Sequence, residues 1–126
     1  MKKLVALNLE LIVTIVDGGC GSDVIDITKG VGAPGGTILH GRGAGVHDAG
    51  RFLGIDIEPE KDIVLTLVPE SLTNTVLNAL SVEMKIFKPG NGIAFVIDLD
   101  KVIGISKIAE YSTVVELDDL LDEGKK

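Results

Sequence analysis

The chain has 126 residues and a formal net charge of −7, enough for one domain with its own core and far too acidic to offer the basic face that a nucleic-acid binder needs. Hydrophobic residues make up 45% of it and aromatics only 3%, so the core is built from Val, Ile and Leu, a composition that favours sheet with some helix and excludes an aromatic platform for stacking bases. Cys20 is the single cysteine, which excludes an internal disulfide; with neither a leader nor a membrane-length apolar run to be seen, the expected compartment is the cytoplasm.

Lys3 to Val16 reads KLVALNLELIVTIV, apolar at every odd position from Val5 to Ile15 and polar at Asn8, Glu10 and Thr14. This period of two predicts a half-buried strand, long enough to need a bend or a bulge. Asp17-Gly18-Gly19-Cys20-Gly21 ends it. Ser22 then stands as the N-cap of a helix carrying Val24, Ile25 and Ile27 and ending near Gly30 or Gly32. Thr37 to His40 reads as a second strand. Val46 to Lys61 is irregular and polar, a long excursion of the kind that compact domains keep for function. Ile63 to Val68 (IVLTLV) predicts a third strand, and Ser71 caps a second helix with Leu72, Val76, Leu77 and Leu80 on one face. Lys88-Pro89-Gly90-Asn91-Gly92 is a turn, and Ile93 to Ile97 (IAFVI) a fourth strand. Val102 to Ile105 suggests a short strand, and Thr113 to Leu117 an edge strand or an arm between subunits. Asp118 to Lys126 is a charged tail expected to fray, with one helical turn at Leu120-Leu121.

Strand, Ser-capped helix, glycine turn and strand thus occur twice in succession. That is the βαββαβ pattern of a ferredoxin-like α+β sandwich: one antiparallel sheet with two helices on one face. The expected domain runs over residues 1–112, followed by a C-terminal strand and charged tail over 113–126. The second face of the sheet is left bare and apolar, which predicts a homo-oligomer.

The glycine-rich segment Gly32 to Gly45, GAPGGTILHGRGAG, fails both phosphate motifs it superficially matches. Gly36 and Gly41 have P-loop spacing, but Arg42 and Gly43 stand where Lys and Ser/Thr belong; Gly41, Gly43 and Gly45 make G-x-G-x-G with no periodic helix after them. Two readings remain open. Gly41 to Gly45 forms a nest of outward amides that, with the Arg42 guanidinium, holds an anion, or its glycines only permit tight packing at a strand end.

GGTILHGRGAG, FLGIDIEPEKDIVLTLVPE and KPGNGIAFVIDLDKVIGI together resemble the P-II-like branch of the nitrogen regulatory P-II superfamily, over about Glu10 to Ile105 and in the family's order. The resemblance implies a ferredoxin-like homotrimer with a nucleotide site in each intersubunit cleft. It also implies a flexible loop, here residues 46–61, that passes the signal to a regulated transporter or enzyme, so that any membrane contact is made through the partner. By the same resemblance Thr37, Gly41, Arg42, Gly43 and Gly45 surround the nucleotide, Val64 lies on the strand lining the adenine, and Gly90, Asn91 and Gly92 form a phosphate turn. Ile93 stands where the family has a phosphate-binding lysine, and Gly104 and Ser106 where it has arginines; Lys101 and Lys107 are the candidate replacements. No cofactor is obligatory. ADP or AMP, with fewer charges, fits as effector better than ATP. Tyr111 is the only tyrosine, so no loop tyrosine is there to be uridylylated.

Two other readings share the fold: a trimeric interaction module with a degenerate nucleotide site, and a metal-binding protein of the CutA type using His40 and His47. Catalysis has least support. Cys20 has no His motif beside it, and Asp98 and Asp100, though on one face, adjoin Lys101 and read as a solvated strand end.

Overall fold

The computed structural model describes residues 2–43, 50–52, 55–105 and 113–124. Their elements are, in chain order, β1 (Leu4–Ala6), β2 (Leu9–Asp17), α1 (Gly21–Gly30), β3 (Thr37–Arg42), β4 (Gly50–Phe52), β5 (Ile55–Ile57), β6 (Glu60–Pro69), α2 (Glu70–Glu83), β7 (Ile93–Leu99), β8 (Val114–Glu116) and α3 (Leu117–Gly124). The main sheet has four antiparallel strands in the order β3-β6-β2-β7, and α1 and α2 pack on it and on each other. This is the expected ferredoxin-like sandwich.

The core lies between this sheet and the helices: Ile12, Val16, Val24, Ala33, Val64, Val68, Val76 and Leu80. Along β6 the even residues Asp62, Val64, Thr66 and Val68 are buried beneath the helices. On β2 the same face carries Ile12, Thr14 and Val16, not the odd-numbered stripe on which the sequence pattern is most regular. Leu11, Val13 and Ile15 instead belong to the open face, in rows with Leu67 and Ile97, Leu65 and Phe95, and Ile63 and Ile93. Apolar residues at both parities make β2 a strand buried from one side and apolar on the other. On the open face Leu39, Ile93, Phe95 and Ile97 remain 42 to 54% exposed.

The long N-terminal strand breaks at Asn8, whose φ of 59° is left-handed, a conformation that asparagine tolerates. Beyond the break, β1 leaves the main sheet and pairs with β8, Leu4 opposite Glu116. Val102 makes one bridge to Ala6 rather than a strand, and the tail is a helix, α3, longer than the single turn expected. The excursion is not irregular throughout: β4 and β5 pair as a hairpin, and Glu60 and Lys61 already belong to β6.

Neither helix uses its expected serine cap. Helix α1 starts at Gly21 with Cys20 in the N-cap position and no capping bond from that side chain. Helix α2 starts directly where β6 ends, with Pro69 at the N-cap, φ −64°, and the Glu70 amide bonded to Asn8 O at 3.0 Å. Proline presets this backbone angle, so strand passes to helix with no loop residue for Ser71 to occupy. Thr73 Oγ1 on α2 donates to Glu10 Oε1 on β2 at 2.6 Å, fixing the helix to the sheet.

Candidate functional site

Strand β3 is an edge strand, and its C-terminal half runs antiparallel to the start of β6, with His40 opposite Asp62, Gly41 opposite Lys61 and Arg42 opposite Glu60. Asp62 is the organising group. Its side chain is buried, and Oδ2 accepts the backbone N–H groups of Gly19 at 3.0 Å and Gly21 at 2.9 Å. The cap of α1 therefore comes from β6, 41 residues along the chain from Gly21. A Cβ on residue 21 would lie 2.8 Å from that oxygen, so the approach requires glycine. The other oxygen, Oδ1, lies 3.0 Å from His40 Nδ1. The Gly21 amide, foremost, and the His40 ring and Gly19 amide hold the Asp62 carboxyl below the usual carboxylate range against the opposing effect of burial.

An ionised carboxylate only accepts, so Nδ1 carries the proton of the His40–Asp62 bond. Beside this pair His40, Gly41, Arg42 and Glu60 line an open cleft of about 440 Å³. Gly43 closes the strand end by donating to Pro59 O at 3.2 Å. The Arg42 side chain is exposed and makes no ion pair among the described residues. A guanidinium in this setting can take a phosphate or a carboxylate through two parallel hydrogen bonds.

Gly41 and Arg42 thus lie together on this cleft, with Gly43 next along the chain. Thr37 sits at the other end of β3, about 17 Å from Arg42 at strand rise. The Val64 side chain is fully buried under the helices, leaving only its backbone to meet a ligand. Gly90, Asn91 and Gly92 form a tight turn: Asn91 N–H reaches Lys88 O at 3.1 Å and its Nδ2 reaches Lys85 O at 3.2 Å. Gly92 has φ 136°, and a Cβ there would lie 2.8 Å from Ile15 O.

The row Leu39, Ile63, Ile15, Ile93 puts this turn at the same end of the sheet as Arg42 but on the opposite edge. Three strand spacings separate the two, about 14 Å, so a phosphate gripped by both needs a second copy of the chain. Lys101 lies past the far end of β7 and pairs with Asp100, away from Gly90–Gly92 in the same chain. Gly45, His47, Ser106 and Lys107 lie outside the described residues. Among the described residues no group of three His, Cys, Asp or Glu side chains is placed to hold a metal, and no helix is long and apolar enough to cross a membrane.

From the sequence His40 enters only as a metal candidate with His47, and Asp62 not at all. The pair's signal is a carboxylate at Asp62, on the inward parity of a strand that otherwise buries Val64, Thr66 and Val68.

No family model matches the sequence, and no curated protein is significantly similar to it. Solved structures are. Arabidopsis thaliana PII bound to citrate superposes with a TM-score of 0.62 at 20% identity, over 80% of this chain and 86% of that one. CPII from Thiomonas intermedia K12, a nitrogen regulatory PII-like protein bound to ADP, AMP and bicarbonate, gives 0.58 at 23% identity, over 75% of this chain and 91% of that one. The same CPII bound to ADP and bicarbonate gives 0.58 at 25%, over 81% and 93%. The fold is PII-like. In this fold the main sheet carries the cleft with its guanidinium on one edge strand and a glycine turn beside the other, both at the same end of the sheet.

Proposed function

We propose that the chain is a PII-like regulator, not an enzyme, that binds an adenine nucleotide or another small anion in clefts between the subunits of a cytoplasmic homotrimer. In this reading it controls a transporter or an enzyme through residues 46–61. The observation that carries it is Arg42: a guanidinium with no ion pair among the described residues, on an open cleft, in a fold whose solved neighbours hold ADP, AMP, bicarbonate or citrate. The half-exposed apolar face supports assembly, since burying it in water's place is favourable. So does the separation of Gly41–Gly43 from Gly90–Gly92, which a neighbouring subunit would close.

Gly41, Arg42, Gly43 and Gly45 would hold the phosphates from one subunit and Gly90, Asn91 and Gly92 from the next, with Thr37 and the Val64 backbone nearer the adenine. Ile93, half exposed beside the turn, offers no charge to a phosphate. Each charged hydrogen bond so forgone is worth about 1.5–3 kcal/mol, which favours ADP or AMP over tight binding of ATP. Lys107 remains a candidate to compensate; Lys101 would have to act from another subunit.

Titration calorimetry with ATP, ADP, AMP and cyclic AMP tests this. ADP or AMP should bind to the parent and not to Arg42→Ala. No heat and no thermal shift with any of the four would leave instead a trimeric interaction module with a degenerate site.

A further inference from the structure

His40 stands two residues before Arg42 on β3, so the two side chains leave the strand on the same face, and both line the cleft. The ring is held in place. Nδ1 is bound to Asp62 Oδ1, Asp62 Oδ2 is bound to the Gly19 and Gly21 amides, and the His40 side chain is 81% exposed while that of Asp62 is 6%. A buried carboxylate therefore turns an exposed imidazole so that Nε2 faces away from it, toward solvent and the cleft. The same device orients histidines whose second nitrogen meets a ligand.

The charges around the cleft give that nitrogen a role. Among the described residues, Arg42 and Glu60 are the charged groups that line it with His40, and their charges cancel. The Asp62 charge is taken up by two amides and the ring. In the next row of the sheet, Lys61 and Asp17 pair with each other at 2.8 Å on the opposite face. The thiol of Cys20, in the turn before α1, packs against the core. With His40 neutral these described residues carry no net charge, and with His40 protonated they gain one positive charge.

We infer that His40 is the proton-linked half of the anion site: Nε2–H and the Arg42 guanidinium together grip one phosphate or carboxylate, and Asp62 is the residue that positions the ring. This rests on the anion-binding reading above and adds to it that effector binding is coupled to protonation of the His40 ring.

The test is ADP binding to the full chain by calorimetry near pH 6 and near pH 8.5, with His40→Gln as the control for titration of the nucleotide itself. Because His40 is exposed, this variant keeps its fold. Relative to His40→Gln, the parent should bind ADP about three- to tenfold tighter at the lower pH than at the higher. In proton NMR, saturation with ADP should raise the pH midpoint of the His40 ring signals. If ADP binds the parent and His40→Gln with the same pH dependence, or leaves the His40 midpoint in place, the inference is wrong and the anion-binding reading stands. If neither ADP nor ATP, AMP or cyclic AMP binds the parent at either pH, both fall.

Discussion

Phe95→Asp should separate the subunits without unfolding them. Phe95 sits mid-strand on the open face, in a row with Val13, Leu65 and Thr37, and remains 42% exposed in the single chain. Leu39, Ile93 and Ile97 keep a similar share of their surface, between 44 and 54%. Fully burying such a side chain is worth about 1.5–3 kcal/mol. Covering the exposed half of these four therefore gains about 3–6 kcal/mol per protomer before the cost of association. A carboxylate placed among them loses the phenyl contribution and, if covered, meets a desolvation penalty of several kcal/mol, enough to offset the whole gain. Light scattering on a sizing column at micromolar concentration should give three chains for the parent and one for the variant. The far-UV circular dichroism should be unchanged, because Phe95 points away from the helix-covered core. A parent that runs as a monomer would refute the reasoning, and so would a variant that keeps the parent's mass.

Three further outcomes follow from single residues. Gly92→Ala combines a φ of 136° with a Cβ 2.8 Å from a backbone oxygen, and should cost about 2–4 kcal/mol in urea unfolding; a loss below about 0.5 kcal/mol would show that the turn relaxes freely. The lowered Asp62 carboxyl contributes stability that is fully present above the ordinary carboxylate value, about pH 3.9, and is lost as pH falls through the folded-state value. In a His40→Gln background, the gap between Asp62 and Asp62→Asn should thus be constant from neutral pH down to about pH 5 and narrow below pH 4; urea midpoints that converge already near neutrality would contradict this. Among the described residues Gly43 has nothing within 4 Å of where a Cβ would stand, so Gly43→Ala should leave unfolding within about 0.5 kcal/mol of the parent while weakening ADP, and unchanged ADP affinity would show that no ligand approaches that backbone.

What the sequence revealed and what it concealed divide along physical lines. The two strand–helix–strand units were legible because period two and period 3.6 are local properties, and the sheet and its two helices follow from them. The buried face of β2 was not, because Ile12 and Val16 are as apolar as Leu11, Val13 and Ile15, and only the helices' position decides between them. Neither serine caps its helix: Asp62 reaches Gly21 across 41 residues, which no local pattern shows, and Pro69 lets α2 begin before Ser71. The glycines show most clearly where local reading ends. Gly21 and Gly92 look no different in sequence from Gly43, yet a Cβ on either would meet atoms of this chain at 2.8 Å, whereas at Gly43 it would meet none within 4 Å among the described residues. Packing within the chain explains the first two; at Gly43, next to Arg42, no contact among the described residues calls for glycine, and the ADP affinity of Gly43→Ala decides whether a ligand does.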